Sequence, residues 1–144
     1  MNYRRLFIMR KDLQMSPGKL AAQVSHCAEA YWTNKIRKNS FRENDLYVYS
    51  TIQLDREEYD KYINNSFIKT ICEARNKNHL LKAKTIAEEL GLIENVDFGL
   101  IRDNCCTELT PEDADGRTLT GIWFKPLPDE IAHKISKKYQ LYKG

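Results

Sequence analysis

The sequence predicts an α/β fold: a single-domain three-layer sandwich in which a mixed, mostly parallel sheet of four strands, with a candidate extra edge strand, carries helices on both faces. Three observations predict it. Strand-like segments alternate with segments of helical apolar spacing along the whole chain, the pattern of a layered α/β architecture. The 144 residues are 42% hydrophobic and 30% charged, which suits one core and leaves no room for a second module. No internal repeat or low-complexity tract interrupts the alternation.

The elements follow in order. Tyr3 to Arg10 reads as a strand rich in Leu, Phe and Ile, bounded by the polar turn Lys11-Asp12-Leu13-Gln14. Ser16 stands where a helix N-cap belongs and Pro17 suits the first helical position. From Lys19 to about Lys35, Leu20, Val24, Cys27 and Tyr31 form an apolar stripe. Lys19, Gln23 and His26, at intervals of four and three, line another side of the same helix. After the basic and polar stretch 36–44, Leu46 to Leu54 has the β-branched and aromatic content of a strand. Asp55 caps a short helix to Asn64, with Glu57, Glu58 and Asp60 near its start as the helix dipole prefers. Phe67 to Ala74 is a strand. Asn76 or Asn78 caps a helix over Leu80 to Leu90, closed by Gly91. Strands are expected over Asp97 to Arg102 and Leu119 to Phe124, and a last amphipathic helix over Pro128 to Tyr139.

Composition narrows the function classes. A formal net charge of +3 is compatible with a nucleic-acid partner without requiring one. Cys27, Cys72, Cys105 and Cys106 lack the dense spacing of a disulfide scaffold and are expected to be reduced thiols. The opening Met1 to Arg10 has too short an apolar run for a signal peptide, and no stretch reaches the roughly 18–20 apolar residues of a spanning helix. A cytoplasmic protein with no membrane partner is therefore expected. No Cys-x-x-Cys pair or close His spacing offers a zinc site, and neither metal nor cofactor is expected.

Three local features could carry chemistry. Met15 to His26 opens a helix with a lysine in its first turn, where free N–H groups, the macrodipole and the ammonium favour an anion such as phosphate. Leu100 to Leu109 runs from a strand into a polar loop, placing Asp103 and Thr107 beyond a strand's carboxyl end, where α/β sheets bind ligands. Thr110 to Thr118 is turn-rich and acidic, the composition of a solvated loop. Taken singly, each feature is ordinary: a solvated lysine, a turn, a surface loop.

Together they resemble the peptidyl-tRNA hydrolase type 2 family. Gly18-Lys19-Leu20-Ala21-Ala22-Gln23, continuing to Ser25-His26, matches the family's helix start. Ala87-Glu88-Glu89-Leu90-Gly91-Leu92, Ile101-Arg102-Asp103 with Thr107, Thr118-Leu119-Thr120-Gly121-Ile122, Pro126 and Leu141-Tyr142 follow in the family's order. The resemblance spans residues 1–144 as one domain, with an insertion around 41–56 that typical members lack. It departs at Asn104-Cys105-Cys106, where the family usually has alanine-glycine-arginine, so a loop arginine that could contact RNA is missing.

The resemblance implies hydrolysis of the ester between peptide and tRNA in peptidyl-tRNA, with tRNA recycled, and a homodimer as in relatives. It implies a catalytic site of Lys19, Asp103 and Thr107, with Gln23 beside them. Asp103 would orient or activate water, directly or through Lys19. Lys19 and Gln23 would serve the carbonyl oxygen or leaving ribose, and Thr107 would position the water. His26 is a candidate helper in substrate binding. Lys35, Arg37 and Lys38, with Lys137 and Lys138, are candidates for the RNA backbone. Two rivals stand beside this reading. One is a cysteine hydrolase using Cys105 or Cys106 with His26 as base. The other is a catalytically impaired relative that only binds tRNA or a protein partner, a reading motivated by the altered loop.

Overall fold

The computed structural model describes residues 2–49 and 51–144. Strand β1 (Tyr3–Arg10) leads into helix α1 (Pro17–Lys38). A hairpin of β2 (Ser40–Glu43) and β3 (Leu46–Tyr49) follows. A short α2 (Arg56–Glu58) then widens into a π-helix (Tyr59–Ser66). Next come β4 (Ile68–Ala74), α3 (Lys77–Glu89), β5 (Phe98–Asp103) and β6 (Thr118–Phe124). The chain closes with β7 (Leu127–Pro128), α4 (Asp129–Ser136) and β8 (Gln140–Leu141).

Six strands form one mixed sheet in the order β5-β6-β1-β4-β8, with β7 also pairing β1. Among the described residues only β1 and β4 pair in parallel, and the other pairings are antiparallel. The expected mostly parallel sheet of four strands is thus corrected to a mostly antiparallel sheet of six. Two of the antiparallel pairings belong to the short strands β7 and β8, and the other two have one cause, the insertion of β6. Because β5 opposes β6 and β6 opposes β1, the helix-linked strands β1, β4 and β5 do run the same way. The stretch 104–117 contains no helix, so β6 returns antiparallel to β5 and wedges between β5 and β1.

Alternation along β1 divides the core. Leu6 and Ile8 pack with Leu80, Ala83 and Ala87 of α3 and with Ala132 and Ile135 of α4. Phe7 and Met9 face the other way, onto Cys27 and Tyr31 of α1 and Trp123 of β6. Strand β6, between β5 and β1, is buried along its whole length and takes part in two close approaches that glycine permits. A Cβ on Gly121 would lie 2.6 Å from Met9 Cε, and one on Gly99 2.5 Å from Trp123 Nε1. Arg5 is 1% exposed, yet each of its three guanidinium nitrogens has an acceptor. Its guanidinium donates to the carbonyls of Phe124, Ala28 and Cys27 and lies 4.9 Å from the Phe7 ring centroid.

Local structure departs from expectation mainly between residues 36 and 67. The first helix continues to Lys38, and the strand expected over Leu46 to Leu54 ends at Tyr49; Ser50 lies outside the described residues. That strand pairs with Ser40–Glu43 in a separate two-stranded sheet and forms no edge of the main one. The helix expected from Asp55 to Asn64 becomes mostly π-helical and ends where Phe67 takes φ of 51°. Tyr31 donates to Glu58 Oε2 at 2.7 Å, tying α2 to α1. No described helix is long and apolar enough to cross a membrane.

Candidate active site

The carboxyl ends of β1 and β5 lie at the same end of the sheet, and the loops leaving them meet there. Ser16 caps α1, its hydroxyl accepting from Lys19 N at 3.3 Å, so the helix starts with Lys19 in its first turn. The anion expected at this helix start comes from the chain itself. Glu108 receives Ser16 N–H at 2.9 Å and Ser16 Oγ–H at 2.6 Å. The Ser16 hydroxyl and amide hold the Glu108 carboxyl below its ordinary range.

Lys19 Nζ donates to Asp103 Oδ1 at 2.7 Å and to Thr107 Oγ1 at 3.0 Å. One helical turn on, Gln23 Nε2 donates to the same Oδ1 at 3.2 Å. Asp103 Oδ2 accepts Cys105 N–H at 2.9 Å. Three donors therefore converge on one carboxylate whose side chain is only 11% exposed. Burial pushes the Asp103 carboxyl up, but the Lys19 ammonium, the Cys105 amide and the Gln23 amide together outweigh it and hold the group below the usual carboxylate range.

The supports behind these side chains come from the sheet. Between Ile101 and Arg102 the β5–β6 register shifts, so that Ile101 opposes Gly121 and Arg102 opposes Leu119, leaving Thr120 as the extra residue of a bulge. The Thr120 hydroxyl donates to Gln23 Oε1 at 2.7 Å, and both residues are buried. Gln23 is thus clamped between Thr120 and Asp103 rather than presented to solvent. Cys105 takes φ of 60°, a left-handed conformation that folds its amide back onto Asp103.

The loop between β5 and β6 is pinned by Arg10 at the end of β1. Its five N–H groups go to Asp12 (two), Glu112 (two) and the Leu119 carbonyl. Thr118 adds a second pin, donating to the Thr110 carbonyl at 2.8 Å and accepting Glu112 N–H at 3.0 Å.

The structure thus brings Lys19, Gln23, Asp103 and Thr107 together. His26 is exposed one turn beyond Gln23 and lines a groove between α1 and β5, outside the hydrogen-bonded cluster. Lys35 stands about 24 Å along the helix from Lys19 and donates to the Gln53 carbonyl at 3.1 Å, while Lys38 is exposed. Lys137 and Lys138 are exposed beside Arg75 and His79 on a different cleft. The sulfur of Cys105 contacts Thr118 Oγ1 and the Asp103 carbonyl, and that of Cys106 the Asn104 carbonyl. Neither meets an imidazole among the described residues. Sequence reasoning missed Thr120, Glu108 and Arg10. The readable signals were a threonine within an apolar strand and an arginine closing a buried one, each of which needs a partner.

The family model described as peptidyl-tRNA hydrolase PTH2 matches residues 3–142. The peptidyl-tRNA hydrolase of Thermococcus onnurineus is 28% identical over 140 residues, covering 96% of this chain and 97% of that protein. The peptidyl-tRNA hydrolase of Thermococcus sibiricus is 29% identical over 139 residues, with the same coverage. The mitochondrial peptidyl-tRNA hydrolase 2 of Bos taurus is 29% identical over 140 residues, covering 97% of this chain and 64% of that protein. Among solved structures, an Agrobacterium protein of unknown function superposes with a TM-score of 0.55 over 99% of both chains at 13% identity, a likeness of fold alone.

Proposed function

Since this chain belongs to the peptidyl-tRNA hydrolase PTH2 family, we propose that it cleaves the ester joining a peptide to tRNA, using Lys19, Asp103 and Thr107 as its catalytic groups. The observation that carries the reading is the Lys19 ammonium held at 2.7 Å from Asp103 and 3.0 Å from Thr107 at the shared carboxyl end of β1 and β5.

The hydrogen bonds support a role for each group. The Thr107 hydroxyl accepts from Lys19, so its own proton is free to donate to an attacking water. Asp103 Oδ2 accepts only the Cys105 amide among the described residues and keeps a lone pair for that water's proton. With its pKa held low, Asp103 is a weak base while Lys19 remains against it. As negative charge builds on the ester carbonyl, Lys19 shifts toward that oxygen and leaves the carboxylate free to take the proton. Gln23, fixed by Thr120, is a positioning residue that keeps Asp103 aimed while Lys19 moves. The proton on Asp103 then passes to the departing ribose oxygen, completing peptide acid and free tRNA.

Purified peptidyl-tRNA tests this directly. Wild type should release peptide, and Lys19→Ala or Asp103→Ala should each lower kcat/KM by about 100-fold or more. Absence of cleavage by wild type would favour a relative that only binds tRNA or a partner, and full activity in both variants would remove the site.

A further inference from the structure

Past Gln23, the polar side of α1 continues along the terminal strand of the sheet. A groove of about 350 Å³ lies there, walled by His26, Ala30 and Thr33 on α1 and by Leu100, Ile101 and Trp123 on the sheet. Three observations say what it fits. First, Leu100 belongs to the core under α3 and α4 while Ile101 belongs to the core under α1, so a groove that touches both wraps the outer edge of β5. Beyond a bridge from Glu94 to Phe98, where Asn95 N–H reaches the Phe98 carbonyl, that edge pairs with no other strand among the described residues.

Second, Trp123 is 2% exposed, and its indole N–H has no acceptor among the described residues. Every described side-chain polar atom that is fully removed from solvent has a partner, so this N–H keeps some exposure, and Trp123 is among the residues that line the groove. The ring reaches this position by lying across Gly99. Third, the groove begins where the catalytic cluster ends. His26 follows Gln23 by one turn, and Ile101 precedes Asp103 by two residues on β5.

Resting on the hydrolase reading above, we infer that this groove takes the peptide moiety of the substrate, laid as a short extended segment along the open edge of β5. A peptide carbonyl accepts from Trp123 Nε1–H, and an apolar side chain sits against Ile101 and Ala30. The chemistry is that of strand addition: backbone groups supply affinity, and alternate side chains meet a shallow pocket. The volume falls within the range of small ligand sites. RNA is a poorer occupant, because the lining carries one carboxylate, Glu29, against one guanidinium, Arg37, and phosphates need a basic surface.

Kinetics on two substrates test this. In wild type, N-acetyl-tripeptidyl-tRNA should be cleaved with a kcat/KM about tenfold above that of N-acetyl-aminoacyl-tRNA, because the added residues contribute groove contacts. That ratio should fall toward one in Thr33→Trp and in Ala30→Leu, each compared after a thermal melt matching wild type. A ratio near one in wild type, or one unmoved in both variants, overturns the inference. Equal losses on both substrates together with weaker binding of uncharged tRNA would assign the groove to RNA and overturn it too. Cleavage of neither substrate by wild type is a failure of the hydrolase reading instead. The groove is then judged by the Trp123 indole N–H signal on adding an amide-linked N-acetyl-tripeptidyl adenosine, where no shift is the overturning result.

Discussion

Asp103 is the residue on which the site depends, and its titration is set by competition between burial and three donors. A carboxyl held below its ordinary value stabilises the fold above the unfolded carboxyl range, and that contribution is lost as pH falls through the depressed value. In Lys19→Met, burial is opposed only by the Cys105 and Gln23 amides, so the Asp103 titration should move upward. Carbon-detected NMR of its carboxyl reads this directly, and an unmoved titration would show that Lys19 does not set it. Thr120 gives a second residue-level prediction. Replacement by valine keeps the shape but leaves the buried Gln23 Oε1 without its donor at 2.7 Å. Thr120→Val should cost about 1–3 kcal/mol in denaturant unfolding and lower kcat with little change in KM. The sequence grouped Lys19, Asp103 and Thr107 as one candidate site through the family resemblance, since the helix start and the strand end that carry them are ordinary when taken singly. Thr120 was not legible there, because its role comes from a bulge that only pairing creates. Cys105 falls between these cases: it occupies the middle of a segment where glycine is usual in the family, and its φ of 60° shows why glycine suits that position.

At the scale of elements, the helices and the longer strands of the main sheet were readable, while the short strands β2, β7 and β8 and the direction and order of the strands were not. Apolar alternation reports which face of a strand is buried and says nothing about its neighbour. The deciding feature is the helix-free stretch 104–117, which sends β6 back between β5 and β1 and so delivers Thr120 and Thr118 beside Asp103. Arg10 holds that stretch in place, with its side chain 3% exposed and all five donors used. Arg10→Met would leave Glu112 and Asp12 without their partner and the loop without its pin. It should destabilise by about 1–2 kcal/mol, less than breaking a fully buried pair, because Asp12 and Glu112 are each more than a third exposed and water screens them. Hydrogen exchange should quicken across 104–117 more than in β1 or β4, whereas uniform quickening would mean that Arg10 supports the whole fold and not the loop in particular.

The whole molecule divides into a sandwich that builds the site and a hairpin that stands apart from it. The family resemblance marks the stretch around 41–56 as an addition, and its strand content pointed toward the main sheet, but the chain instead pairs Ser40–Glu43 with Leu46–Tyr49. A short polar turn at 44–45 joins the two strands, and so local a closure costs less chain entropy than pairing with the main sheet. The hairpin contributes no residue to either core cluster and exposes Phe41, Leu46 and Tyr47. The link back to the sandwich runs instead through Lys35 to the Gln53 carbonyl and through Tyr31 to Glu58, both outside the hairpin strands. Stability and catalysis should therefore survive its removal. Replacing 41–48 by two glycines should leave the melting temperature within a few degrees of wild type and kcat on N-acetyl-aminoacyl-tRNA within about twofold, since neither core contacts nor site geometry change. A large fall in melting temperature would place the hairpin in the cooperative fold. An intact melt with kcat/KM lost would instead make its exposed aromatic surface part of how the substrate is held, with the tRNA reaching from the carboxyl end of the sheet along α1 to the hairpin.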